Sequence, residues 1–334
     1  MKKSSKVNKF SDWFLHKPES GIILILILFV AFATCVNPSF ISGKNVINIF
    51  RASGFTLISV VGTALVLITG GLDLSIGSVY ALGAIVCGMC LTSLNLPLPV
   101  AIIAGLAVGM VCGILNGIMI VYANIPPMIA TLGMQYIARG AVSVITKGVP
   151  IYPLPDSFVN IESTKLFGII PIIIPFAVIL AIVGHFILAK TVFGRSVYAI
   201  GGNQEAARIS GINIAKTKMV IYIIMGVLAS MAGILMASRL GSAEPSTGTG
   251  LEMKVICGAV IGGISISGGM GTMFGALLGA VFMEALTNSL TVMKVSVYWQ
   301  NIVFGIVLVL SVLLDQYKRM LIKKSSIKST EEAK

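Results

Sequence analysis

Residues 98–122 read LPVAIIAGLAVGMVCGILNGIMIVY and contain no charged side chain. A helix needs roughly 20 apolar residues to cross the hydrocarbon core of a bilayer, which is about 30 Å thick, so this run is long enough to span a membrane. The rest of the chain has the same character, because 56% of its 334 residues are hydrophobic and only 11% are charged. Soluble domains have about twice that charged fraction. We therefore predict an all-α, polytopic transmembrane protein.

Ten apolar runs, bounded by charged residues or by Pro, Gly and Asn, are candidates for membrane-spanning helices. They lie at residues 21–36, 52–69, 75–93, 98–122, 127–145, 169–189, 219–238, 255–267, 273–290 and 300–314. Glycine interrupts the runs between residues 255 and 290, which leaves the boundaries there open. We predict one transmembrane domain over residues 21–317 with about ten spans, a tail at residues 1–20 and a second tail at residues 318–334.

Positive charge is concentrated in the two tails and in one central loop, residues 190–218. Lys and Arg accumulate in the cytoplasmic segments of membrane proteins. An even number of spans puts both tails on one side, and six spans before residue 190 put the central loop on the same side. We therefore expect both termini and the central loop to be cytoplasmic. The formal net charge of +12 is then a consequence of topology, and we predict no nucleic-acid partner.

Two glycine-rich segments resemble each other. GGLDLSIG at residues 70–77 matches GGISISGG at residues 262–269 in both leading glycines, one serine and the last glycine. The match predicts two related halves. Internal repeats are frequent in transporters, and the solute path often lies where the repeats meet.

The sequence contains no GxxxxGK[ST] phosphate loop, so the chain does not hydrolyse ATP by that route. Energy for transport must come from a partner or from an ion gradient. Cys87 and Cys90 form a CxxC pattern, but no further ligands stand nearby, which favours packing. Two histidines in distant parts of the chain argue against a membrane-embedded enzyme. We predict no catalytic residue, no metal and no cofactor.

Polar residues within or beside the spans are candidates for the translocation path. Asp73 and Ser75 either cap the helix that follows them, the reading that we favour for Asp73, or contact the solute. Neutral amides could bind a sugar or join helices by hydrogen bonds, and they are Asn116, Asn124, Gln135 and Asn288. Arg139 and Glu284 are costly to bury unpaired, so we expect either a mutual ion pair or a wet cavity.

The central loop reads KTVFGRSVYAIGGNQEAARISGINIAKTK over residues 190–218. Residues 204–210 are predicted to form a short helix, with Asn203 as its N-cap and Gly211 as its terminator. The small residues Ala206 and Ala207, with exposed Glu205 and Arg208 beside them, suit docking into a cleft of another protein. A solvated amphipathic turn is the alternative.

Glu205-Ala206-Ala207, followed after three residues by Gly211, resembles the EAA loop with which permeases of bacterial ATP-binding-cassette importers engage their ATPase. The usual Leu-Pro ending is missing. From about Asn45 to Tyr317 the chain is more closely similar to the permeases of ribose, xylose, arabinose and galactose importers. Four segments carry that resemblance: GGLDLSIGSVYALGAI, FGRSVYAIGGNQEAARISGI, VICGAVIGGISISGGMGTMFGALLGA and YWQNIVFGIVLVLSVLLD.

The resemblance implies a permease of a bacterial cytoplasmic membrane that imports a small sugar. It also implies three kinds of partner: a cytoplasmic ATPase, an extracytoplasmic solute-binding protein, and a second permease that is a copy or a paralogue. The segment that engages the ATPase would comprise Asn203, Glu205, Ala206, Ala207, Arg208 and Gly211. Two alternatives remain, a permease for nucleosides or branched-chain amino acids and a gradient-driven secondary transporter.

Overall fold

The computed structural model describes residues 20–331, so nearly all of the predicted N-terminal tail lies outside it. The helices are α1 (Ser20–Val36), α2 (Gly43–Ile68), α3 (Ile76–Thr92), α4 (Leu98–Val121), α5 (Pro127–Thr146), α6 (Asp156–Ser163), α7 (Ile173–Lys190), α8 (Val192–Gly202), α9 (Gln204–Ile209), α10 (Ile214–Leu240), α11 (Leu251–Ile261), α12 (Met273–Val292) and α13 (Val297–Glu331). A 3-10 turn (Pro38–Ile41) follows α1, and strands β1 (Lys165–Leu166) and β2 (Ile170–Pro171) form a small antiparallel hairpin.

Each of the ten predicted apolar runs corresponds to a helix, which confirms the all-α polytopic architecture. Within the described residues, α2, α4, α5, α7, α10 and α12 are long and apolar enough to cross a membrane. Three further apolar stretches are shorter, at residues 21–36, 76–92 and 297–313. Helix α11 has 11 residues and at 1.5 Å per residue covers about half of a bilayer core.

Some predicted boundaries were wrong, and each has a local cause. The run predicted at residues 255–267 is helical only from Leu251 to Ile261, because Gly263, with φ of 94°, turns the chain out of the helix. Helix α2 begins at Gly43, nine residues before the predicted start. The prediction counted only the apolar part of this helix, and the more polar turns before it are also helical. Helix α7 begins at Ile173 because residues 170–171 pair with β1. Residues predicted as a C-terminal tail continue α13 up to Glu331.

Helix α10 lies at the centre of the bundle and packs on α2, α3 and α4. Glycines on α4 allow this close approach: a Cβ at Gly109 or Gly113 would collide with the backbone of α10 at Gly226 or Tyr222. Helices in lipid associate through such van der Waals contact, because the hydrophobic effect does not drive them together there. The glycines of α4 therefore form a close-packing face against α10.

The bundle has two distinct ends, which we call the loop end and the hairpin end. At the loop end, the Gly269 amide donates to the Ile68 carbonyl at 2.8 Å and the Tyr198 hydroxyl donates to the Gly271 carbonyl at 2.8 Å. At the hairpin end, Ile151 and Ala243 exchange two backbone hydrogen bonds. The loop end therefore joins the central loop to both glycine-rich segments.

Candidate functional site

Asp73 lies in the unwound segment between α2 and α3 and is only 4% exposed. Its Oδ1 accepts hydrogen bonds from the Ser75 amide at 2.8 Å and from the Ser75 hydroxyl at 2.6 Å. Aspartate commonly stabilises turns by bonding the backbone two residues ahead. The Ser75 side chain makes no capping bond to α3. Asp73 thus fixes the turn that leads into α3, while Ser75 does not cap the helix as predicted.

Asn116 on α4 extends this group of side chains. Its amide nitrogen donates to the Ser75 hydroxyl oxygen at 3.0 Å. Because Ser75 has already given its single proton to Asp73, it can only accept, and the amide must present its NH2 group. The Asn116 Oδ1 is consequently left buried with no hydrogen-bond partner among the described residues. A buried acceptor of this kind calls for a donor that the described side chains do not supply.

The unwound segment is also held by its backbone. The Leu74 amide donates to the Thr131 hydroxyl at 3.1 Å, and the Leu72 carbonyl accepts from the Tyr222 hydroxyl at 3.3 Å. These contacts join the segment to α5 and α10. A buried stretch outside a helix must satisfy its peptide groups in this way, and the result is a rigid entry to α3.

The remaining neutral amides are scattered rather than clustered. Asn288 on α12 exchanges side-chain hydrogen bonds of 2.8 and 3.0 Å with Asn45 on α2, and thus joins two helices. Asn124 is exposed in the turn before α5, in the left-handed conformation with φ of 53°. Gln135 on α5 donates to Glu252 at 3.3 Å. The structure brings Asp73, Ser75 and Asn116 together and places the other three elsewhere.

Arg139 and Glu284 do not pair with each other. The Arg139 guanidinium donates to the carbonyls of Pro245 at 2.6 Å, Thr247 at 3.0 Å and Gly77 at 3.1 Å. Glu284 instead forms an ion pair with Lys254 at 2.8 Å and accepts from the Thr56 hydroxyl. Of the two alternatives expected from the sequence, the mutual ion pair is wrong, and each residue has partners that sequence position does not indicate.

Helix α9 matches the short helix expected in the central loop. The Asn203 side chain accepts from the Ala206 amide at 3.0 Å, as an N-cap does. Gly211, with φ of 81°, ends the helix, and the Ile212 amide returns to the Ala207 carbonyl. Such left-handed terminators favour glycine.

The surface of α9 differs from the expected one in two ways. Ala207 is 3% exposed and packs against the chain itself, so only Ala206 of the alanine pair is on the outer face. Ile209, which sequence reasoning missed, is 81% exposed. Glu205 and Arg208 form a solvent-exposed ion pair at 2.7 Å. The outer face of α9 is thus a charged pair beside one large apolar side chain.

Helix α8 anchors α9 to the loop end. The Tyr198 hydroxyl bonds the Gly271 carbonyl, and burial raises the pKa of this phenol above its ordinary value. At Gly201 the backbone lies so close to the Ile68 carbonyl and the Gly269 amide that no side chain fits. The described residues contain no cluster of His, Cys, Asp or Glu suited to a metal ion.

The chain is similar to known proteins along most of its length. Residues 45–312 match the family model described as "Branched-chain amino acid transport system / permease component". The ribose import permease protein of Escherichia coli (strain K12) is 37% identical over 310 residues, covering 90% of this chain and 94% of the relative. The autoinducer 2 import system permease protein of Photorhabdus luminescens is 34% identical, covering 92% of each chain.

The similarity extends to other sugars and other bacteria. The ribose import permease protein of Bacillus subtilis (strain 168) is 38% identical, covering 89% of this chain and 92% of the relative. The xylose transport system permease protein of Haemophilus influenzae is 32% identical, covering 88% of this chain and 94% of the relative. No solved structure matches the chain.

Proposed function

Because the chain belongs to the family described as the permease component of branched-chain amino acid transport systems, we propose that it is the membrane-spanning subunit of an ATP-binding-cassette importer for a small, ribose-like sugar. The relatives named for ribose, xylose and autoinducer 2 import support a permease for small polyhydroxylated solutes. In this proposal the loop end and both termini face the cytoplasm of a bacterial cell.

The observation that carries the proposal is the geometry of α9. A capped helix of six residues stands on the loop end with its charged pair and Ile209 exposed, while α8 behind it is fixed to both glycine-rich segments. This shape suits insertion into a cleft of a partner ATPase. Closure of an ATPase dimer on ATP would then displace α8 and α9 together.

The proposed cycle is a shift between two conformations. ATP binds the closed ATPase dimer more tightly, and that difference in affinity favours one state of the permease. Hydrolysis and product release return the other state. A second permease, a copy or a paralogue, would face this one across the path, and a solute-binding protein would deliver the sugar at the hairpin end.

The exposed ion pair on α9 makes a clean test. An exposed pair contributes at most about 1 kcal/mol to folding, so Glu205→Arg should leave the protein inserted and folded while it removes ATP-dependent uptake. Glu205→Gln is the matched control, because it preserves side-chain size and a hydrogen bond to Arg208. Gly211→Pro should also abolish uptake by disrupting the end of α9.

Uptake is measured in cells that carry the permease with its ATPase and binding protein, using radiolabelled D-ribose, D-xylose, a nucleoside and leucine. We expect sugar uptake that stops on ATP depletion and survives an uncoupler. The reverse response would identify a gradient-driven transporter. Normal uptake by Glu205→Arg with co-purified ATPase would contradict the role of α9, and uptake of leucine or the nucleoside alone would contradict the sugar assignment.

A further inference from the structure

Three segments meet near the middle of α5, and none of the functions assigned above uses this junction. The first turn of α3, the segment 245–248 and the start of α11 converge there. Gly77 and Gly248 are in backbone contact, so closely that a Cβ on either would overlap the other segment. A Cβ on Gly77 would also lie 2.6 Å from the Glu252 carboxylate. The two short helices α3 and α11 therefore begin beside each other.

Arg139 holds this junction together. Its three hydrogen bonds join α5 to segment 245–248 and to the first turn of α3, as described above. One turn earlier on the same face of α5, Gln135 reaches Glu252 in the first turn of α11. The guanidinium is occupied by backbone carbonyls. The Glu252 carboxylate accepts from Gln135 and from the backbone amides of Gly250 and Glu252, whereas the Gln135 carbonyl accepts no hydrogen bond from the described residues.

Helix α5 exposes apolar side chains such as Tyr136 and Ile137, but it also carries the polar residues Gln135 and Arg139 in its middle, where α7 carries none. The middle of α7 exposes large apolar side chains such as Phe176, Ile179 and Ile182, whereas His185 and Lys190 are exposed nearer its C-terminal end. Helix α5 leaves two glycines, Gly133 and Gly140, with nothing near their Cβ positions. Gln135 and Arg139 are only half-buried. Polar side chains at this depth face a water-filled cavity or other protein, since lipid contact is costly.

We propose that Gln135 and Glu252 form a contact site for the hydroxyl groups of the solute on its path, and that Arg139 is the positioning residue that holds the site together. This inference rests on the proposed function, and it identifies residues that the solute would contact as it crosses the membrane. Carboxylate and amide oxygens accept hydrogen bonds from hydroxyl groups. Arg139 and Glu252 interact electrostatically, so their charges offset each other and the site carries no net charge for an ionic solute. The chemistry selects a neutral polyol.

The first experiment tests water access and needs no solute. Gln135→Cys is placed in a Cys35→Ser background, because Cys35 is the exposed native cysteine among the described residues. The probe is the membrane-impermeant reagent 2-sulfonatoethyl methanethiosulfonate, and Ile179→Cys on the apolar face of α7 is the matched control. We expect Gln135→Cys to react at least tenfold faster than Ile179→Cys. Equal rates would overturn the site, even if ATP-driven uptake stands.

Arg139→Lys, combined with Gln135→Cys, tests positioning. A lysine has one donor nitrogen and lacks the planar fork with which two guanidinium nitrogens reach the two segments, so the altered contact should change the labelling rate of Gln135→Cys severalfold. An unchanged rate would show that Arg139 does not position the site. This readout is separate from transport activity, so a failure of the proposed importer function leaves it interpretable.

The second experiment tests hydroxyl recognition in the complete complex, with D-ribose and 2-deoxy-D-ribose as probes. The binding protein is the same for every variant, so its own preference cancels when variants are compared. We expect Glu252→Ala to reduce D-ribose uptake at least tenfold and to change the ratio of the two uptake rates at least threefold. A purely structural role would slow both probes equally and leave the ratio unchanged, which would overturn the contact. Loss of uptake in the unaltered complex would instead overturn the sugar assignment, and labelling would then decide the site alone.

Discussion

Two adjacent glycines at the end of α8 give a matched pair of substitutions. A Cβ at Gly201 would overlap the Ile68 carbonyl oxygen and lie 2.5 Å from the Gly269 nitrogen, whereas a Cβ at Gly202 meets nothing within 4 Å. Both residues are helical, so alanine improves helix propensity equally at each position. The difference between Gly201→Ala and Gly202→Ala therefore isolates one close contact at the loop end.

The magnitude follows from that contact. Overpacking of this kind costs about 1–3 kcal/mol. Separating the backbones also weakens the hydrogen bond from the Gly269 amide to the Ile68 carbonyl, which is worth about 1 kcal/mol. The higher helix propensity of alanine offsets up to about 1 kcal/mol of this destabilisation. We expect Gly201→Ala to destabilise the protein by roughly 1–3 kcal/mol, and Gly202→Ala to be neutral or slightly stabilising.

Buried cysteines report the result. Cys87, Cys90, Cys112 and Cys257 are free and buried, so a thiol-reactive fluorescent dye detects unfolding of the detergent-solubilised protein on heating. The midpoint temperature of unfolding should fall by several degrees for Gly201→Ala and stay constant or rise for Gly202→Ala. Equal midpoints would refute the close packing of α8 on the two glycine-rich segments. Under the proposed function, Gly201→Ala should also uncouple ATP hydrolysis from uptake.

Two further pairs of substitutions test buried polar groups with the same thermal assay. Glu162 on α6 is 1% exposed and receives a hydrogen bond of 2.7 Å from Nε of Arg51 on α2. Arg51→Met leaves that carboxylate buried and unpaired, so it should cost about 3 kcal/mol or more and lower the midpoint further than Glu162→Gln; the opposite order would refute the ion pair. Asn116→Asp adds a second carboxylate beside Asp73, which forms no ion pair among the described residues. It should therefore lower both the unfolding midpoint and the uptake rate. Asn116→Leu, which adds no charge, should lower both by less. Unaffected uptake in Asn116→Asp would reduce Asn116 to ordinary helix packing.

The parts of the fold that sequence predicted are those set by local chemistry. Spans follow from the requirement that peptide groups in lipid bond within their own helix, and α9 follows from Asn203 and Gly211 at its two ends. The C-terminal boundary of the run predicted at residues 255–267 was wrong because hydropathy does not distinguish an apolar glycine-rich loop from a helix. Here Gly262 and Gly263 end α11 early.

The polar contacts were not predictable, because their partners are distant or carry no sequence signal. Asn288 bonds Asn45, 243 positions away. Arg139 bonds backbone carbonyls, and every residue has a carbonyl, so no residue type marks the partner. The same reasoning explains the missed pair of Glu284 with Lys254. Ile209 was missed because an isoleucine in a short amphipathic turn is ordinarily expected to be buried.

A continuous series of contacts connects α9 with the proposed solute site. Helix α8 meets the ends of α2 and of the second glycine-rich segment at Gly201, and a Cβ on Gly268 of that segment would lie 2.7 Å from the Gly70 nitrogen. The segment from Gly70 then turns at Asp73 into α3, where Arg139 holds the Gly77 carbonyl. Most of these contacts involve backbone, which packs more stiffly than long side chains do. Coupling between distant sites needs an element with two arrangements as well as a contiguous path. We propose that in the importer this element is segment 245–248, because one arginine and a glycine contact hold it against the first turn of α3.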